Sequence, residues 1–153
     1  MATQLLQDIY LFKDLTSKEL EELSARGTVR TYNQDEEVFV EGEVATSLYV
    51  IRYGTISIRR AGKDKSLDVA QLGTGAHFGE MSFVDGNQRS ATAVALERTE
   101  LLDISFEALN DYFTKNPATA LRFYRSLTHF LASRLRVTTM DLSFAREKNI
   151  RHF

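Results

Sequence analysis

Residues 75–94 read Gly75-Ala76-His77-Phe78-Gly79-Glu80-Met81-Ser82-Phe83-Val84-Asp85-Gly86-Asn87-Gln88-Arg89-Ser90-Ala91-Thr92-Ala93-Val94, a glycine-punctuated segment that runs into a β-branched stretch. Arg89 follows Glu80 by nine residues, with Ser90, Ala91 and Thr92 after it. A guanidinium suits an oxyanion because its planar donors meet two oxygens at once. Gly79, without a Cβ, lets the backbone come close to a ligand. Glu80 is the odd member, because a carboxylate beside a bound anion is repulsive unless it faces a hydroxyl donor. Together these residues outline a site for a ligand that carries both a phosphate and a sugar hydroxyl.

Outward from this stretch, residues 28–105 consist of short apolar runs separated by glycine or polar pairs, the texture of an all-β sandwich or barrel. The strand candidates are Val38 to Val40, Leu48 to Ile51, Thr55 to Ile58, Leu67 to Leu72, Ala91 to Ala95 and Leu101 to Ile104. Turns are marked by Glu41-Gly42-Glu43, Tyr53-Gly54, Ala61-Gly62-Lys63-Asp64 and Gly73-Thr74-Gly75. Thr55 to Ile58 and Leu67 to Leu72 alternate apolar and polar, as half-buried antiparallel strands do. The expected fold is mainly β with flanking helices: a jelly-roll-like β-barrel (double-stranded β-helix), N-terminal helices and a long C-terminal helix. The chain reads as a single domain, with residues 1–27 a helical segment, 28–105 the barrel carrying the 78–91 loop, and 106–142 the C-terminal helices.

The helices carry local signals. Thr16 and Glu19 make a capping box, Leu15 and Leu20 stand where a hydrophobic staple packs, and Gly27 is a stop, which predicts a helix from Ser17 to Ala25. Leu5, Leu6, Ile9 and Leu11-Phe12 form an apolar cluster ahead of it. Ser105 is an N-cap for a helix with Phe106, Leu109, Tyr112 and Phe113 on one face. Asn116-Pro117 ends that helix and starts another, expected to run to about Asp141. Its apolar residues from Leu121 to Val137 make a stripe too wide for one packing surface, with room for the barrel and a partner helix.

Residues 75–94 closely resemble the phosphate-binding cassette of cyclic nucleotide-binding domains. There Phe-Gly-Glu is followed by two or three apolar or small residues, a short loop, and Arg-Ser/Thr/Ala-Ala-Thr. The resemblance implies that Glu80 accepts from a ribose 2′-hydroxyl, Arg89 pairs with the cyclic phosphate and Ser90 adds a donor, with Phe78, Gly79, Met81 and Ala91 completing the cassette. Gln88 departs from the proline many members have before the arginine, which implies a looser loop. Residues Ile9 to Thr16 also look like the family's helical lead-in. By the same resemblance Val69 and Leu72 are apolar walls of the pocket, though core packing explains them equally well. Arg134-Leu135-Arg136-Val137-Thr138-Thr139 resembles the end of the family's long C-terminal helix, which makes Thr138 and Thr139 candidates for contact with the base; helix-end threonines facing water are the plain alternative. The implied ligand is cyclic AMP or cyclic GMP, with no prosthetic group, and the implied partners are an effector protein and a second copy through the C-terminal helix.

Bulk properties narrow the classes further. The 153 residues carry 19 basic and 21 acidic side chains for a net charge of -2, without the cationic excess of nonspecific nucleic-acid binders. Only eleven residues follow Leu142, so no DNA reader of the transcription-factor branch is expected, and the chain reads as a free-standing module or one cut from a longer protein. No cysteine is present, and the histidines His77, His129 and His152 are scattered, which argues against a jelly-roll metalloenzyme. No serine elbow, P-loop or dinucleotide fingerprint occurs. No apolar run approaches a membrane span and no signal peptide is visible, so a cytoplasmic protein without membrane contact is expected. His77 can tune binding with pH or simply be an exposed loop residue. The rival to ligand binding is a family descendant acting through protein contacts, with Glu80 and Arg89 kept as an internal ion pair.

Overall fold

In a computed structural model that describes residue 6, residues 9–62 and residues 66–151, the middle of the chain forms eight strands: β1 (Thr28–Tyr32), β2 (Glu37–Phe39), β3 (Ser47–Tyr53), β4 (Ile56–Ala61), β5 (Ser66–Leu72), β6 (His77–Phe78), β7 (Thr92–Ala95) and β8 (Thr99–Ser105). They make two four-stranded antiparallel sheets, ordered β1-β8-β3-β6 and β2-β7-β4-β5. This is the expected jelly-roll arrangement, with helices at both ends of the sequence: α1 (Ser17–Ala25), α3 (Phe106–Lys115) and α4 (Pro117–Arg151), and a six-residue helix α2 (Glu80–Asp85) inside the barrel segment. Leu5, Lys63, Asp64 and His152 lie outside the described residues.

The period-2 geometry of the strands divides the interior into two cores. On β3, Leu48 and Val50 face the helices while Tyr49 and Ile51 face the space between the sheets; on β8, Leu102 and Ile104 face the helices and Leu101 faces inward. The helix-side core gathers Leu11, Phe12, Leu20, Leu23, Tyr112, Phe113, Phe123 and Leu127. The sheet-side core contains Phe39, Tyr49, Ile51, Ile56 and Phe78. Each fully buried side chain of this size contributes about 1.5–3 kcal/mol relative to its exposed state.

Local chemistry sets the helix ends. The Thr16 hydroxyl accepts from Glu19 N–H at 3.2 Å and Glu19 Oε1 accepts from Thr16 N–H at 2.8 Å, closing the capping box. Ser105 caps α3 by accepting from Ala108 N–H at 3.0 Å. Glu19 also ties α4 to α1, since Arg122 meets both its oxygens at 2.7 and 2.8 Å and the Thr119 hydroxyl donates to it. These bonds, Arg122's foremost, hold the Glu19 carboxyl down at about 2.

Several boundaries differ from the sequence expectation. β1 and β6 fall in stretches not marked as strands, and α2 occupies part of what reads as loop. The last helix runs on to Arg151 rather than ending near Asp141. No glycine or proline follows Pro117, so nothing local stops it. Among the side chains described, the last buried one is Leu127, and from Ala132 to Ser143 α4 is exposed throughout.

Candidate functional site

The site is built around Arg89, which lies in the loop between α2 and β7 yet is only 4% exposed. Its backbone is pinned to the β2–β3 connection, with Arg89 N–H donating to Glu43 O and Gly42 N–H donating to Arg89 O, both at 2.8 Å. Its side chain lies over the Phe39 ring, 4.0 Å from the centroid. Nη1 donates to Gly79 O at 3.1 Å and Nη2 to Ser47 O at 2.6 Å, while Nε has no hydrogen-bond partner among the described residues. Burial pushes the guanidinium below its usual value, and Tyr49, Asp103, Glu43 and Glu80 oppose that. No carboxylate among the described residues forms a salt bridge with it, so the hydrogen bonds of this buried cation go to neutral carbonyls, beside the Phe39, Tyr49 and Phe106 rings. Such a charge is costly to desolvate and favours an anion beside it.

Gly79 makes this geometry possible. It precedes α2 at φ +88, a conformation that side chains rarely adopt, and a Cβ there would stand 2.9 Å from Arg89 Nη1 and 3.2 Å from Ser47 O. The sharp turn brings Glu80 back over β6. Glu80 is 3% exposed and does not pair with Arg89: its Oε2 lies 3.3 Å from His77 Nδ1 and its Oε1 3.9 Å from Arg134 Nη1 of α4. The first N–H groups of α2 have no intrahelical acceptor, as at any helix start.

These groups line one cavity of about 740 Å³, within the roughly 300–1,000 Å³ usual for small-molecule sites. Nine of the residues singled out from sequence meet there: Val69, Leu72, Phe78, Gly79, Glu80, Met81, Arg89, Ser90 and Ala91. Val69 is 56% exposed and Met81 50%, so these two furnish cavity wall rather than core, whereas Leu72 lines the cavity and also packs against the sheet-side core. Thr138 and Thr139 do not line the cavity. α4 passes it one to two turns earlier, through Phe130 and Arg134, and the Thr139 hydroxyl donates to its own helix at Leu135 O, 2.8 Å away.

Sequence reasoning missed several members of the lining. Phe130 and Arg134 stand four apart on the stripe that continues from Leu127, so helical periodicity carried that signal. Arg60, Tyr10 and Phe39 carried none. His77 is not an exposed loop residue: it is a buried strand residue whose ring meets the Phe130 ring edge-on at 4.6 Å. Three arginines and one glutamate face the cavity, a balance that favours an anionic ligand. The described residues contain no group of three His, Cys, Asp or Glu side chains placed to hold a metal, and no helix of theirs is long and apolar enough to cross a membrane. Phe83 of α2 stacks on Tyr124 of α4 at 6.0 Å and also touches Phe106 and Phe123, linking the loop segment mechanically to the helices.

Residues 29–116 match the family model described as "Cyclic nucleotide-binding domain". The chain is 34% identical over 145 residues to the "Cyclic AMP receptor protein" of Thermus thermophilus, an alignment covering 91% of this chain and 64% of that protein. It is 31% identical over 137 residues to "Cyclic GMP-binding protein C" of Dictyostelium discoideum, covering 89% of this chain and 5% of that one. The crystal structure of the Thermus thermophilus catabolite activator protein superposes with a TM-score of 0.78 at 32% identity, over 88% of this chain and 62% of that chain. The chain thus spans less than two thirds of these similar proteins.

Proposed function

This chain belongs to the cyclic nucleotide-binding domain family, and we propose that it is a regulatory module that binds cyclic AMP or cyclic GMP in the cavity lined by Glu80 and Arg89. The observation that carries this reading is Arg89: a buried cation at the cavity wall with a free Nε and no carboxylate salt bridge among the described residues. In this reading Arg89 takes the cyclic phosphate, Ser90 adds a donor, Glu80 accepts from the ribose 2′-hydroxyl, and Val69, Leu72, Met81 and Ala91 flank the nucleotide with Phe78 and Gly79 behind it. Phe130 and Arg134 are the α4 residues best placed to cover the ligand; Thr138 and Thr139 reach it only if α4 shifts along its axis.

The output proposed is a movement of α3 and α4, driven by the difference in ligand affinity between two positions of α4. Phe83 offers a route, since it packs on both helices from within α2. Leu135, Val137, Met140 and Leu142 are exposed on the far half of α4, which suits a second copy or an effector protein. DNA contact and membrane insertion form no part of this reading, and a cytoplasmic setting fits it. The alternative, an interaction module that keeps Glu80 and Arg89 as an internal pair, lacks support because Glu80 faces His77 and Arg134 while Arg89 holds carbonyls. Thermal unfolding with each cyclic nucleotide separates the two: a raised midpoint supports the ligand reading, and no shift with either favours the alternative.

A further inference from the structure

We propose that His77 is a positioning residue for Glu80, holding one carboxylate oxygen so that the other is presented to the sugar hydroxyl, and that it thereby sets selectivity for ribose over 2′-deoxyribose. The inference rests on the cyclic nucleotide reading of the cavity and adds to it a residue outside the Phe78–Ala91 loop.

The observations are geometric. His77 Nδ1 and Glu80 Oε2 are both buried, both without a hydrogen-bond partner among the described residues, and face each other at 3.3 Å. A buried carboxylate oxygen with no donor is costly, and the side chain that forms an ion-pair contact with this one is His77, through Nδ1. A small rotation of either side chain turns the approach into a hydrogen bond from Nδ1–H. The other oxygen, Oε1, faces Arg134, whose side chain is 58% exposed and flexible enough to yield to a ligand. The two carboxylate oxygens therefore have separate surroundings, one fixed within the fold and one turned toward α4.

The imidazole is itself held. β6 pairs His77 with Val50 of β3, and Phe130 of α4 meets the ring edge-on, so the ring orientation depends on where α4 lies. A site whose acceptor is fixed in this way rejects an analogue lacking the hydroxyl, because the acceptor is then left unpaired. His77→Phe keeps a flat ring against Phe130 and removes the donor. His77→Asn keeps an amide nitrogen close to the position of Nδ1 and removes the ring.

The test measures the affinities of cyclic AMP, cyclic GMP and their 2′-deoxy forms for the parent and both variants by titration calorimetry. The parent is expected to prefer the ribose form, His77→Phe to lower that preference by about tenfold, and His77→Asn to restore most of it. An unchanged preference in His77→Phe, or an equal loss of ribose and deoxyribose forms in both variants, overturns the inference while leaving the nucleotide site standing. Failure of the parent to bind any of the four overturns both.

Discussion

Arg89 Nη2 donates to the carbonyl oxygen of Ser47 at 2.6 Å, and through this bond the loop after α2 is fastened to the first residue of β3. The side chain proposed to meet the phosphate is thus also a brace between the cassette and the barrel. No carboxylate among the described residues forms a salt bridge with it, and the Phe39, Tyr49 and Phe106 rings lie 4.0, 5.8 and 5.8 Å from its guanidinium carbon. It lines the cavity, and its Nε has no hydrogen-bond partner among the described residues.

Gly79 is the first consequence. Gly79→Ala forces an L side chain into a left-handed conformation costing about 1–2 kcal/mol and drives a methyl group against the Arg89 guanidinium. The variant is expected to unfold at lower temperature and to bind cyclic nucleotide at least about tenfold more weakly. Differential scanning and titration measure the two effects; a variant matching the parent in both would show that the turn is not under the constraint described.

Much of this geometry was legible, and the reason differs from element to element. The caps at Thr16 and Ser105 and the start at Pro117 are written in local chemistry, so α1, α3 and the onset of α4 follow from a few residues each. β1 escaped because Thr28 to Thr31 are exposed on both faces; its place is set by pairing with β8 and by the Arg30–Asp103 ion pair at 2.6 Å, neither of which shows as a hydrophobic pattern. β6 has two residues, too short for any period. Glu80, Arg89 and Gly79 are legible in their residue types, and the rest of the cassette follows from its resemblance to the family motif, whereas His77, Phe130 and Arg134 meet only when α4 folds back across the barrel. Thr138 and Thr139 were placed by resemblance, and the actual path of α4 puts the cavity one to two turns earlier.

The Glu19–Arg122 pair gives a second expectation, on acid stability. The folded Glu19 carboxyl sits at about 2 against 4.5 for the free group, so the folded state binds this proton less readily than the unfolded one. Its stabilisation is fully present above 4.5 and fades as pH falls from there toward 2. Arg122→Ala is expected to cost about 1.5–3 kcal/mol near neutral pH and less as the pH approaches 2. Unfolding midpoints of parent and variant measured between about pH 7 and pH 2 check this; curves that run parallel throughout contradict it.

Movement of α4 is open to hydrogen exchange. Saturating cyclic nucleotide is expected to slow exchange in the part of α4 that passes the cavity, around Phe130 and Arg134, and to alter it across residues 117–142 as a whole. Unchanged exchange over that span in the presence of bound ligand removes the helix as the output, though not the site.

Arg134 yields a fourth expectation, since it approaches Glu80 Oε1 from an otherwise exposed position. Arg134→Ala is expected to change cyclic nucleotide affinity by about threefold to tenfold while leaving the unfolding midpoint close to the parent's, because exposed ion pairs add about 0–1 kcal/mol. A large loss of stability with unaltered affinity would assign it to the fold instead.

The most direct measurement is titration calorimetry of the parent and Arg89→Ala with cyclic AMP and cyclic GMP, with scanning calorimetry of both proteins to establish that the variant is folded. The parent is expected to bind at least one of the two, and the folded variant to bind it roughly tenfold to a hundredfold more weakly. A folded Arg89→Ala that binds as tightly as the parent, or a parent that binds neither nucleotide, contradicts the assignment of Arg89 to the phosphate.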